Sequence, residues 1–230
     1  IDLRGHGESF TSGPIGMRLW CKDLAMVLDT EQCARAVVIG HSLGAHVALH
    51  FAAYYPERTR AVVLIDPAPK QALRGWRRAA ARFARPLLAF IVAALRLLNA
   101  LGIRRKRLPA LDLYRLDEQM RAGLLAQDRP DEFIRRYASF WDDIKYFPTA
   151  HYFQELRAML APLPTFAKIE APILIMLSKG ITHTNPEATR HLFAEAPRTE
   201  IVTIDAYHWP LTERPEEVRR QIERWCERLE

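Results

Sequence analysis

Apolar and polar positions along the chain fall into two alternating rhythms. Short apolar or β-branched runs at Ala36 to Ile39, Ala61 to Ile65, Ile173 to Leu177 and Glu200 to Ile204 predict strands. Stretches with helical spacing at Met17 to Leu28, Ala45 to Tyr55, Glu187 to Ala194 and Glu216 to Glu227 predict helices between and around them. This alternation predicts an α/β fold whose mostly parallel sheet is joined by helical crossovers. The run Val62-Val63-Leu64-Ile65 has no polar side, as expected of a strand covered on both faces.

Between the second and third of these strands lie about a hundred residues without strand-like alternation, far too many for a plain connection. Residues 69–168 therefore read as a helical insertion, leaving 1–68 and 169–230 as the core. No internal repeat or low-complexity tract interrupts either part.

Gly40-His41-Ser42-Leu43-Gly44 is a G-x-S-x-G pentapeptide set between the predicted strand at Ala36 to Ile39 and the helix that follows. A serine hydroxyl is a poor nucleophile, and a strand that turns sharply into a helix can present it in an exposed, strained position. Glycines at both ends relieve the crowding of such a turn. The same turn carries the backbone N–H of Leu43 at the start of the helix, where an oxyanion would be stabilised.

Composition narrows the class further. With 230 residues, 49% of them hydrophobic and 26% charged, the chain is that of a globular protein able to bury a sizeable core. Cys21, Cys33 and Cys226 are odd in number and widely spaced, so they suggest neither a disulfide framework nor a thiolate metal site. A reducing, cytoplasmic compartment is the expectation. The net charge of +6 is local: residues 67–111 hold eleven Lys and Arg and no Asp or Glu, while the rest of the chain carries 22 basic and 27 acidic residues.

Three motifs in order resemble those of the α/β hydrolases with a helical cap, esterase- and lipase-like serine enzymes. Asp2-Leu3-Arg4-Gly5-His6-Gly7-Glu8-Ser9 matches the family's D-x-R-G-x-G-x-S turn, and Gly40 to Gly44 matches its nucleophile elbow. Ala206-Tyr207-His208-Trp209-Pro210-Leu211-Thr212-Glu213-Arg214-Pro215-Glu216-Glu217-Val218 resembles the segment around its catalytic histidine. The resemblance covers nearly everything outside the insertion. It implies Ser42 as nucleophile, His208 as general base and an N-terminally truncated sheet, with Ile1 falling at the fourth strand of the family's sheet. The strands before it, roughly fifty to eighty residues judged by domain size, and the loop that gives a second oxyanion donor would then lie in a longer parent. Chemistry asks for the same pairing: histidine is the side chain best suited to take the serine proton near neutral pH and hand it to a leaving group.

The third member departs from the family's pattern. Where the orienting aspartate is expected stands Ile181, and Ser178-Lys179-Gly180-Ile181-Thr182-His183-Thr184-Asn185 contains no carboxylate. Asp66, at the end of the strand beside the nucleophile strand, is the substitute some relatives use. Asp205 and an enzyme with no carboxylate on His208 are the alternatives.

Other features have plainer readings. His46 and His50 stand at a spacing that can bind zinc, but no third ligand is evident, and helix packing is the simpler account. Glu213, Pro215, Asp2 and His6 read as structural. Pro86 to Ile103 is broken only by Arg96 and Asn99 and is flanked by basic clusters; as a helix it would be about 27 Å long. A charge in its middle argues against a membrane span, leaving a helix over an acyl pocket, peripheral contact with anionic lipid, or a solvated basic cap. The basic stretch matches no nucleic-acid module.

The expectation is a serine hydrolase that cleaves a small-molecule carboxylic ester, with an apolar acyl chain, through an acyl-enzyme on Ser42 and without cofactor or metal. Thioester and carbon–carbon bond hydrolysis stay open. The competing class is a non-catalytic ligand-binding or membrane-docking protein that kept the fold and lost the acid.

Overall fold

The computed structural model describes residues 1–73, 76–105, 108–109, 112–125, 144–166, 169–180, 185–194 and 196–229. Four strands, β1 (Ala36–His41), β2 (Thr59–Ile65), β3 (Ile173–Ser178) and β4 (Thr199–Ile204), form one parallel sheet in the order β1-β2-β3-β4. Ladder pairs His41 with Ile65, Ile65 with Met176, and Ser178 with Ile204 bring all four C-terminal ends to one rim.

Side-chain alternation on the central strands builds two cores. Val62, Leu64, Ile173 and Ile175 face α2 (Leu43–Tyr54), meeting Ala45, Ala48, Leu49 and Ala52. On the same side Phe193 closes the layer from α6 (Pro186–Phe193). The residues between them, Ala61, Val63, Ile65, Leu174 and Met176, pack on Val218 and Trp225 of α8 (Pro215–Cys226). β3 is buried along its whole length and β2 everywhere but Arg60, as a strand covered on both faces must be. α1 (Met17–Thr30) joins through Trp20 and Cys21, which pack on Val47 and Phe51 of α2.

Every described helix or strand between β2 and β3 is helical: a short turn at Lys70–Ala72, then α3 (Trp76–Ala100), α4 (Leu113–Met120) with a π turn at Arg121–Leu125, and α5 (Thr149–Met159). α3 starts ten residues before the apolar run expected from Pro86 and passes through that proline. α7 (Pro210–Glu213) follows β4 and precedes α8.

Candidate active site

Each candidate residue sits where a strand of the parallel sheet stops. Ser42 follows β1 with φ 50° and ψ −109°, and its N–H is held by the Ile65 carbonyl of β2 at 3.0 Å. Asp66 follows β2 with φ 41°, its N–H held by the Met176 carbonyl of β3 at 2.7 Å. Left-handed backbone costs a non-glycine residue of order 1–3 kcal/mol, and both residues adopt it where their side chains leave the sheet.

Of the two elbow glycines, Gly40 is required: a Cβ there would come within 2.1 Å of the Gly44 carbonyl oxygen. Gly44 is not, because among the described residues its Cβ would meet nothing within 4 Å. The crowding falls on one side of the turn, since only Gly40 lies under the first turn of α2. Leu43 opens α2, so its N–H belongs to the group of helix-start donors that lack intrahelical acceptors.

His208 arrives on the loop after β4 and touches both other residues. Its Nδ1–H donates to Asp66 Oδ2 at 2.5 Å, and its Nε2 lies 3.2 Å from Ser42 Oγ. The other Asp66 oxygen accepts the Ser178 N–H at 2.9 Å, so this carboxylate is gripped from two directions. Asp66 and His208 are both buried. Asp205, the alternative acid, is exposed and pairs with Lys179 at 3.6 Å. Ile181 and its neighbours 182–184 lie outside the described residues.

Of three supports, one was expected as structural and two escaped the sequence reading. The Glu213 carboxylate accepts the N–H groups of Tyr207 at 2.9 Å, Trp209 at 3.0 Å and His208 at 3.3 Å, which fixes the histidine loop. This gives the structural role expected of Glu213 its content. His41 Nε2–H donates to the His208 carbonyl at 2.6 Å, tying the elbow to that loop. Burial, with the neighbouring His208, pulls the His41 pKa down to about 4, so the ring is neutral and adds no charge beside the candidate base. Ser178 N–H, the third, carries no sequence signal at all.

His46 and His50 are buried, and His50 Nδ1 lies 2.8 Å from the His46 carbonyl oxygen, a contact of helix packing. Among the described residues no group of three His, Cys, Asp or Glu could hold a metal. Asp2 and His6 sit in the opening turn: Asp2 Oδ2 accepts the Glu8 N–H at 2.8 Å, and His6 Nε2 lies 3.1 Å from Glu155 on α5. Two clefts of about 610 and 780 Å³ open beside α3, and neither is lined by Ser42, Asp66 or His208.

The model of the Alpha/beta hydrolase family matches residues 1–221. The chain belongs to that family. This α/β hydrolase is 26% identical over 241 residues to ethanol acetyltransferase 1 of Kluyveromyces marxianus, covering 96% of this chain and 64% of that protein. Lipase LipV of Mycobacterium tuberculosis is 43% identical over 67 residues, 29% of this chain and 26% of the lipase. The chain thus spans less than two thirds of these curated relatives. Among solved structures, a thermophilic esterase from Thermogutta terrifontis superposes with a TM-score of 0.65 at 22% identity, over 99% of this chain and 78% of that one. The enol-lactonase from Burkholderia xenovorans gives 0.65 at 19%, over 98% and 78%. At such identities the structural likeness speaks for the fold: α/β, with helices on a parallel sheet.

Proposed function

We propose that this α/β hydrolase is an esterase- or lipase-like serine hydrolase that cleaves a small-molecule carboxylic ester through an acyl-enzyme on Ser42. The observation that carries the reading is the unbroken contact line from Asp66 Oδ2 through His208 to Ser42 Oγ, at 2.5 and 3.2 Å. In this reading His208 Nε2 takes the Ser42 proton as Oγ bonds to the ester carbonyl carbon. Asp66 stays ionised and holds Nδ1–H, keeping the imidazole in the tautomer whose Nε2 can accept. The Leu43 N–H stabilises the oxyanion. The imidazolium then gives its proton to the departing alkoxide, and water repeats the sequence to free the acid and restore the hydroxyl. A neutral His41 suits this cycle, because a second cation beside His208 would disfavour the imidazolium.

The apolar acyl preference, the role of 69–168 as a helical cap and a cytoplasmic, reducing setting belong to the same proposal. Free Cys21, Cys33 and Cys226 suit such a setting. Burial pushes the Cys21 thiol up to about 12, which makes it a poor rival nucleophile. A second reading, acyl transfer to an alcohol instead of water, is favoured by the ethanol acetyltransferase that matches 96% of the chain. Both use the same acyl-enzyme and differ in what attacks it.

Covalent labelling by a fluorophosphonate tests the shared step. Labelling is expected at Ser42 and is expected to disappear in His208→Ala. A Ser42 that does not label in folded protein would favour the non-catalytic binder. A p-nitrophenyl ester chain-length series, run with and without ethanol, then reads acyl preference and acceptor.

A further inference from the structure

α3 is amphipathic in the sense opposite to that of a helix facing water. A surface helix normally turns its apolar stripe to the core and its charges to solvent. Here Phe83, Leu87, Phe90, Leu97 and, just past the helix end, Leu101 recur at helical spacing and are 59–75% exposed. The window Phe83–Ala100 is long and apolar enough to cross a membrane by length and composition, and none of it is buried. The described charges of α3 lie on the other side. Arg85 and Arg96 line the clefts beside α3 together with Arg18, Arg157 and Lys70, and among the described residues no Asp or Glu lines either cleft.

We infer that α3 is a docking helix that lies in the surface plane of an anionic phospholipid bilayer. Its outer face enters the boundary between headgroups and acyl chains, and the basic stretches that flank the apolar window in sequence, ending at Arg82 and starting at Arg104, meet lipid phosphates. Two observations select this occupant. Residues 67–111 carry eleven positive charges and no negative one, and nine of them come before or after the window Phe83–Ala100 in sequence, so a second copy docked over that window would bring like-charged flanks together. An anionic surface neutralises them. A span is disfavoured because Arg96 sits inside the apolar window, and because β3, later in the chain, returns to the sheet that β1 and β2 began. The inference is independent of the reaction proposed for Ser42.

Sedimentation with vesicles tests it, using phosphatidylcholine alone and phosphatidylcholine with about a quarter phosphatidylglycerol. The protein is expected to bind the anionic vesicles at least about tenfold more tightly than the neutral ones. The double variant Phe90→Glu/Leu97→Glu, placed on the exposed face and checked for an unchanged thermal melt, is expected to lose about tenfold or more of that binding. Equal binding to both vesicle types, none to the anionic ones, or full binding by the variant would overturn the inference. So would light scattering that shows a dimer which the variant splits, in a protein that ignores both vesicles; that result assigns the face to a second copy.

Discussion

Replacing Asp66 by Asn tests the reasoning about the site at its most informative point. The carboxylate accepts two hydrogen bonds, from Ser178 N–H at 2.9 Å and His208 Nδ1–H at 2.5 Å. An asparagine has one oxygen for these two donors. The Ser178 amide cannot change its donor, whereas the imidazole can move its proton, so the amide oxygen stays on Ser178 and the new NH₂ turns to His208. Nδ1 must then accept, Nε2 carries the hydrogen, and the nitrogen facing Ser42 Oγ can no longer take its proton. In a serine triad this wrong tautomer costs about ten-thousandfold in turnover, or about 5 kcal/mol of barrier. Asp205→Asn supplies the contrast: its side chain is exposed and paired only with Lys179, so kcat should stay within about twofold, as befits a surface ion pair. The assay is ester hydrolysis with the fluorophosphonate labelling rate, beside a thermal melt to show that the variant is folded. A folded Asp66→Asn protein that keeps more than about a tenth of wild-type kcat would refute the argument, the more so if Asp205→Asn loses activity instead.

Two further predictions use other parts of the molecule. Ser42→Gly removes the hydroxyl and relaxes a residue at φ 50°; ester turnover should vanish while Tm rises by roughly 2–4 °C, the equivalent of about 1 kcal/mol of relieved strain net of glycine's entropy, and a lower Tm would show the elbow is unstrained. At His6, burial disfavours the charged ring, but the hydrogen bond and charge of Glu155 outweigh it and raise the pKa. A raised folded-state pKa gives stability that is full below the unfolded value of about 6.5 and fades as pH rises through the folded value. Glu155→Gln should therefore lower Tm more at mildly acidic pH than at alkaline pH, and a gap that widens with rising pH would sink this reading.

The elements that were plain in the sequence are those whose environment is uniform. Val62 to Ile65 and Ile173 to Leu177 are buried on both faces, and continuous apolar runs record that directly. Element ends were less legible, because there single residues serve two masters. Thr59 and Arg60 are polar yet belong to β2, where Thr59 is fully buried with its hydroxyl donating to the Tyr55 carbonyl at 2.9 Å. Leu43 and Gly44 read as part of the elbow and are also the first turn of α2. The early start of α3 was hidden by its arginines and by Pro86. Alanine and arginine are good helix formers, but a proline before an apolar run reads as a first helical position.

The site divides along the same line, between what is local and what the sheet assembles. Ser42 and His208 each sit in a segment that announces itself. Whether they meet depends on topology: with the order β1-β2-β3-β4, three strand spacings, about 14 Å, separate the edge that carries Ser42 from the strand that leads to His208. The loop after β4 must therefore lean back across the rim. It is held there by three N–H groups on Glu213 and by His41 from the elbow side. Asp66 sits under that returning loop, at the end of the strand beside β1, so an acid at this strand end can reach the imidazole while the segment after β3 supplies only an N–H from Ser178. The missing carboxylate between Ser178 and Asn185 was legible only as an absence. Its counterpart at Asp66 depends on a left-handed φ of 41° and on a neighbour 112 residues further along the chain, two things that no local pattern records.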